Sequence, residues 1–212
     1  MNRVDELGRP TVMSRPRILF VCHSTGGIVA RYLLEYNAEQ FRSKTVGMLL
    51  IASPSYGSKW ADKLSLLSRF YNQRLGIQLQ WGNWSLRDLD ARFKDLVNNR
   101  TIPSFIGIEA YENRFIVHRK WLPDRTVVVT EESAGRYFGA PVLLRGTDHF
   151  SSVKPADTKH PAHELLVDFW YRFRQLFLAN ARAVAAGGNE VQIGNVACVH
   201  RPAAGEHFPE DE

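Results

Sequence analysis

The feature that most constrains this chain is an apolar run, Ile18-Leu19-Phe20-Val21-Cys22, that stops at His23-Ser24-Thr25-Gly26-Gly27 and resumes with helical spacing. The run is continuously apolar rather than alternating, so it reads as a strand buried on both faces, the habit of parallel sheets. Residues 26–37 read as an amphipathic helix with Ile28, Val29, Tyr32 and Leu33 on its apolar face. Val46 to Ala52 is a second buried strand, ending in the turn-rich loop Ser53 to Ser58. Strand, helix and strand at this spacing make a βαβ unit, and the class is α/β with a parallel sheet.

The junction itself has the form of a nucleophile elbow, a strained strand-to-helix turn that lifts a serine hydroxyl clear of a sheet. The strand and helix backbones nearly touch there, so small residues are expected around Ser24, and Gly26 and Gly27 meet that need. Cys22 stands two residues before the serine, where glycine is commonest. It reads as a buried small hydrophobe rather than a nucleophile. The helix start brings backbone N–H donors and a positive dipole end beside Ser24, and the Thr25 N–H is the candidate oxyanion donor.

A serine hydroxyl needs a general base to react near neutral pH. Of the seven histidines, His149 follows the last expected strand, where a loop delivers it to the carboxyl edge of the sheet. His23 adjoins Ser24 and is expected to point away from it. His118, His200 and His207 fall in a charged loop and the tail. The base needs an orienting carboxylate. Glu112 leads, with Asp124 and Glu109 as alternatives, while Asp148 is badly placed to reach the ring next to it. Asp157, His160 and His163 are metal-type residues, but Pro161 interrupts their spacing, and they read as a loop running into a helix start.

Elsewhere, residues 1–16 read as a loop and 59–100 as a helical cap holding Trp60, Trp81 and Trp84, with Ser85 capping its second helix. Strands are expected at 103–108, 126–130 and 141–144. The domain, 17–183, closes with a helix at 162–179 whose stripe is Leu166, Phe169, Trp170, Phe173, Leu176 and Phe177. The small and finally acidic residues 184–212 read as a partly disordered tail. The net charge of +5 is spread along the chain without a basic, aromatic-interleaved run, so no nucleic-acid partner is expected. Two cysteines make no disulfide framework. No stretch approaches ~18 consecutive apolar residues and no signal h-region opens the chain, so the expected compartment is cytoplasmic.

With these residues in view, the chain resembles the α/β-hydrolase lipases and esterases, and within them the group around GPI-inositol-deacylase-like and serine-active-site-containing proteins. The matching stretches are Phe20 to Arg31, Leu50 to Ser58, Glu132 to Ala134, and Thr147 to Pro155, in that order. The resemblance implies Ser24 as nucleophile and His149 as base, and leaves the acid open because relatives differ there. It implies hydrolysis of a lipid or acyl ester through an acyl-enzyme, with no metal or organic cofactor and peripheral membrane contact, if any, through the cap. The family also places several strands ahead of the nucleophile strand, and the loop after the third donates a second oxyanion N–H. Only about 16 residues precede that strand here. The chain therefore reads as the C-terminal part of a hydrolase, as a truncated gene model, fragment or decayed paralogue. Losing one oxyanion donor costs about 10²–10³ in rate. Two other classes stay open: a non-catalytic interaction module that keeps the elbow, and an acyltransferase using the same three residues.

Overall fold

The computed structural model describes residues 8–53, 83–113 and 135–185. The expected strand at 126–130, Asp124, the Glu132 to Ala134 match, cap residues 59–82 and the tail from 186 lie outside them. The described elements are β1 (Arg17–His23), α1 (Thr25–Tyr36), the short α2 (Ala38–Phe41), β2 (Thr45–Ile51), α3 (Asn83–Asn98), β3 (Phe105–Glu112), β4 (Val142–Leu144) and α4 (Pro161–Ala185). The strands form one sheet in the order β1-β2-β3-β4, every neighbouring pair parallel. This is an α/β arrangement, a parallel sheet with flanking helices.

β2 is central, and all seven of its residues are buried. Its side chains alternate between two cores, as period-two pleating requires. Val46, Met48 and Leu50 pack with Ile18, Leu34, Phe41, Phe93 and Leu96 under α1 and α3. Leu49 and Ile51 pack with Ala110, Leu144, Ala162, Leu165 and Phe169 under α4. Gly47 opens the space for α4, since a Cβ there would lie 2.9 Å from a Phe173 ring carbon.

α1 turns differently from the sequence expectation, and α4 departs from it at one position. α1 buries Gly27, Ile28, Ala30, Arg31 and Leu34, while Val29, Tyr32 and Tyr36 are exposed. The elbow sets this phase: Gly27 must face the loop after β2, and positions three, four and seven residues on then face the sheet. α4 buries Ala162, Leu165, Phe169, Phe173, Leu176 and Asn180; of the expected stripe Phe169, Phe173 and Leu176 are buried, and Trp170 stays exposed beside the Phe173 ring. α3 already includes Asn83 and Trp84, so Ser85 lies within the helix rather than at its cap. Placed in the cap by sequence, α3 instead packs Phe93 and Leu96 against the core under α1, and Arg92 bonds Glu35 at 2.9 Å.

A buried polar cluster ties this layer together behind the elbow. Arg31 donates through Nε to the Gly27 carbonyl at 3.1 Å and through its guanidinium to the Tyr137 hydroxyl. Tyr137 in turn donates to Asp90 at 2.6 Å, and Arg136 reaches the other Asp90 oxygen at 3.0 Å. Burial pushes the Tyr137 hydroxyl far up, against the pull of Arg31, so it keeps its proton and stays a donor.

Candidate active site

Ser24 sits between the last residue of β1 and the first of α1, with φ 53° and ψ −127°. A non-glycine residue held there costs about 1–3 kcal/mol. The surroundings impose the conformation: the Ser24 N–H bonds the Ile51 carbonyl at 3.1 Å, and the Gly27 N–H bonds the Ser24 carbonyl at 3.1 Å. Gly27 is the residue that makes the turn possible, since a Cβ on it would lie 2.0 Å from Ser53 Oγ. Gly26 faces open space, so the expected need for smallness falls on Gly27 alone. Thr25 opens α1, so its N–H is among the first-turn donors that have no acceptor within the helix.

His149 is fully buried, and its Nε2 lies 3.1 Å from Ser24 Oγ. Its Nδ1 lies 3.4 Å from Glu112 Oε1, with both side chains fully buried. That contact is within ion-pair distance but lacks hydrogen-bond alignment, and Nδ1 makes no hydrogen bond. Such pairs commonly tighten only around a bound reactant. With a carboxylate oxygen, an acceptor, facing Nδ1, we assign the proton to Nδ1, which leaves Nε2 to accept from the serine.

The three residues come from three strand ends. Ser24 follows β1, Glu112 ends β3 and His149 follows β4, so the site lies at the carboxyl edge of the sheet, where parallel sheets place their ligands. The end of β3 is fastened to the His149 turn directly. The Asn113 N–H bonds the Thr147 carbonyl at 3.2 Å, and Asn113 Oδ1 accepts the Gly146 N–H at 2.8 Å. Within the turn, Asp148 Oδ1 accepts the N–H groups of Phe150 and Ser151 at 2.9 and 2.8 Å. Burial opposes ionisation of Asp148, but the hydrogen bonds from Ser151 and Phe150 outweigh it and hold the carboxyl below its usual range. Asp148 therefore shapes the turn and does not orient the ring.

The rival acids separate cleanly. β3 runs on to Glu112, four residues beyond the expected end, so Glu109 lies within the strand. Three positions apart on a strand, Glu109 and Glu112 face opposite sides of the sheet. Glu109 Oε2 accepts the Tyr137 N–H at 2.8 Å and the Phe138 N–H at 3.3 Å, away from His149, which corrects its candidacy. Asp124 lies outside the described residues.

His23 has a contact that the sequence did not reveal. Its Nε2 lies 2.8 Å from the His149 carbonyl oxygen, and the two rings pack at 4.7 Å between centroids. Cys22 is buried and free; burial pushes its thiol up to about 11, against the pull of Arg31. Asp157, His160 and His163 form the approach to α4: His160 Nδ1 accepts the Ala162 N–H at 3.2 Å ahead of Pro161, which opens the helix. Among the described residues, no group of three or more His, Cys, Asp or Glu is placed to hold a metal, and no helix is long and apolar enough to cross a membrane.

Comparison with protein-family models, with curated proteins and with solved structures finds no match to this chain.

Proposed function

We propose that the chain is a serine hydrolase of the α/β-hydrolase type, cleaving a carboxylic ester of lipid or acyl character. The observation that carries the reading is Ser24 Oγ 3.1 Å from His149 Nε2 on a strained strand-to-helix turn. The chain order serine, glutamate, histidine supports it, being the order of that fold. So do the parallel sheet and the placement of all three groups at its carboxyl edge. The sequence likeness to the GPI-inositol-deacylase-like group belongs to the same proposal.

In this mechanism Ser24 Oγ attacks the acyl carbonyl while its proton passes to His149 Nε2. Glu112 steadies the imidazolium through Nδ1. The Thr25 N–H and the α1 dipole meet the negative charge that develops on the carbonyl oxygen. The alkoxide leaves with the proton from His149. Water, deprotonated by the same ring, then cleaves the acyl-enzyme and restores Ser24.

The test is fluorophosphonate labelling of the purified chain, read by intact mass, beside Ser24→Ala. One adduct on the parent protein and none on the variant supports an activated serine, and a screen of esters by acyl length follows. A soluble, cooperatively folded chain that takes no label refutes the enzyme reading and favours an interaction module that keeps only the elbow.

A further inference from the structure

The His149 main-chain carbonyl receives two donors from different parts of the fold. Ser152 Oγ donates from within the same turn at 3.0 Å. His23 Nε2 approaches from the end of β1 at 2.8 Å. A carbonyl oxygen only accepts, so His23 must carry its proton on Nε2. His23 is also the residue immediately before Ser24. The strand that presents the serine hydroxyl thus grips, one residue earlier, the backbone of the residue whose ring meets that hydroxyl.

We propose that His23 is a positioning residue for His149: its Nε2–H holds the His149 carbonyl and so sets the Nε2-to-Ser24 distance. The inference rests on the serine-hydrolase reading and deepens it. Without this bond, the turn carrying His149 keeps its internal bonds through Asp148 and Ser152. It also keeps the Asn113 contacts to β3, but the bond from His23 that holds its backbone to β1 is gone, and the 3.1 Å contact of His149 Nε2 with Ser24 Oγ loses that support. The ring packing adds a second effect. His149 must become cationic when it takes the serine proton, and a neutral neighbour accommodates that charge where a cationic one repels it. Among the described residues, the charged or titratable groups that face His23 are His149 itself, Glu112 and Lys154. Burial first, and then His149, hold the His23 ring below its ordinary range, so it stays neutral near neutral pH. The arrangement therefore couples a fixed distance to an uncharged neighbour.

The experiment compares His23→Phe, which keeps ring volume and loses the donor, with His23→Gln, which keeps an amide donor near the same position. Fluorophosphonate labelling rates are followed from about pH 5 to pH 9, spanning histidine titration, with unfolding curves on each protein. The His149 ring is followed in parallel by NMR of histidine-labelled protein. In the folded variants, His23→Phe is expected to label about 10–100-fold more slowly, the scale of a small misplacement of a reacting group. It is also expected to move the His149 titration, and His23→Gln to recover most of the rate. Labelling of His23→Phe at the parent rate across the pH range overturns the proposal, as does His23→Gln as slow as His23→Phe. If the parent chain takes no label, the hydrolase reading fails. The NMR comparison then decides alone, and an unmoved His149 resonance in His23→Phe refutes the positioning role. Should His23→Phe not fold, His23→Asn replaces it, because its shorter amide falls short of the carbonyl.

Discussion

Replacing Gly27 with alanine forces a methyl group into the Ser53 and Leu50 side chains beside the Ser24 turn. The new Cβ would lie 2.0 Å from Ser53 Oγ, 2.7 Å from Ser53 Cβ and 2.9 Å from Leu50 Cδ2. Rotating the Ser53 side chain relieves only the first contact. The second involves an atom fixed to the loop backbone, and ordinary contact begins at 3.4 Å. The start of α1 must therefore retreat by roughly 0.7 Å, the shortfall at Ser53 Cβ, against Ser53 and Leu50, both buried. Overpacking of this kind costs about 1–3 kcal/mol. Alanine's better helix propensity returns at most about 1 kcal/mol of that. A net loss of up to about 2 kcal/mol lowers Tm by up to several degrees at this chain length, at about 2–4 °C per kcal/mol. The retreat carries Ser24 with it, so the labelling rate should fall by about 10²-fold. Gly26→Ala is the control: it meets open space, and should keep the labelling rate while stabilising α1 by up to about 1 kcal/mol. Ser53→Gly removes the two Ser53 atoms and leaves Leu50 Cδ2 at 2.9 Å, so combining it with Gly27→Ala should recover part of the stability, with a coupling within about 0.5–3 kcal/mol. Urea unfolding and labelling kinetics on the parent, Gly26→Ala, Gly27→Ala, Ser53→Gly and the double variant give the answer. Equal damage from Gly26→Ala and Gly27→Ala, or a Gly27→Ala chain as stable and as reactive as its parent, would refute the packing argument.

Other expectations follow from single contacts. Glu112→Gln keeps the shape of the side chain but presents an amide to His149 Nδ1, and should slow labelling by about 10³–10⁴, the scale known when a triad carboxylate is made neutral; Glu109→Gln should instead act on stability through the Tyr137 N–H, and a reversal of these effects would reassign the acid. Arg100 has φ 50° where the Thr101 N–H reaches back to Leu96 at 3.0 Å, the left-handed ending of α3. Arg100→Gly should therefore stabilise the fold by about 1 kcal/mol in a urea titration. Cys22, in a Cys198→Ser background, should resist alkylation while native and react once unfolded. Its folded value of about 11 stands above the ordinary 9.0. The stability it preserves is thus complete below about pH 9 and is lost as pH rises towards 11, which alkaline unfolding curves of Cys22→Ala would not show.

The elbow is legible in the sequence because its constraints are local: an apolar run, a break, glycines and a helical period stand next to one another. His149 is legible because a short strand and a turn precede it. The helix faces were not. Periodicity identifies an apolar stripe on α1, but Val29 and Tyr32 are as apolar as Ile28 and Leu34, and only the contact between Gly27 and Ser53 chooses between them. The acid was a matter of strand length. Had β3 ended at Ile108, Glu109 and Glu112 would both lie on a loop, and nothing local says that the pairing of Tyr111 and Glu112 with Leu143 and Leu144 extends it. Ladder hydrogen bonds to a distant strand made that choice, and with it the side of the sheet each carboxylate faces. The polar cluster of Arg31, Tyr137 and Asp90 was equally hidden, because its members come from α1, α3 and the segment before β4.

β4 has only three residues and pairs along one edge with β3. The segment that delivers His149 is thus fastened by the shortest ladder in the sheet, while the serine stands beside the all-buried central strand. Local opening of a protein starts where backbone bonds are few. The state that loses the base is consequently a local excursion from the native ensemble, which loosens Leu144 at the margin of the core under α4 and leaves the core under α1 and α3 in place. Heat or mild denaturant would silence the chemistry while circular dichroism still reported an intact sheet. Reactivity of Ser24 would then measure the closing of one turn, and the melting temperature would measure something else.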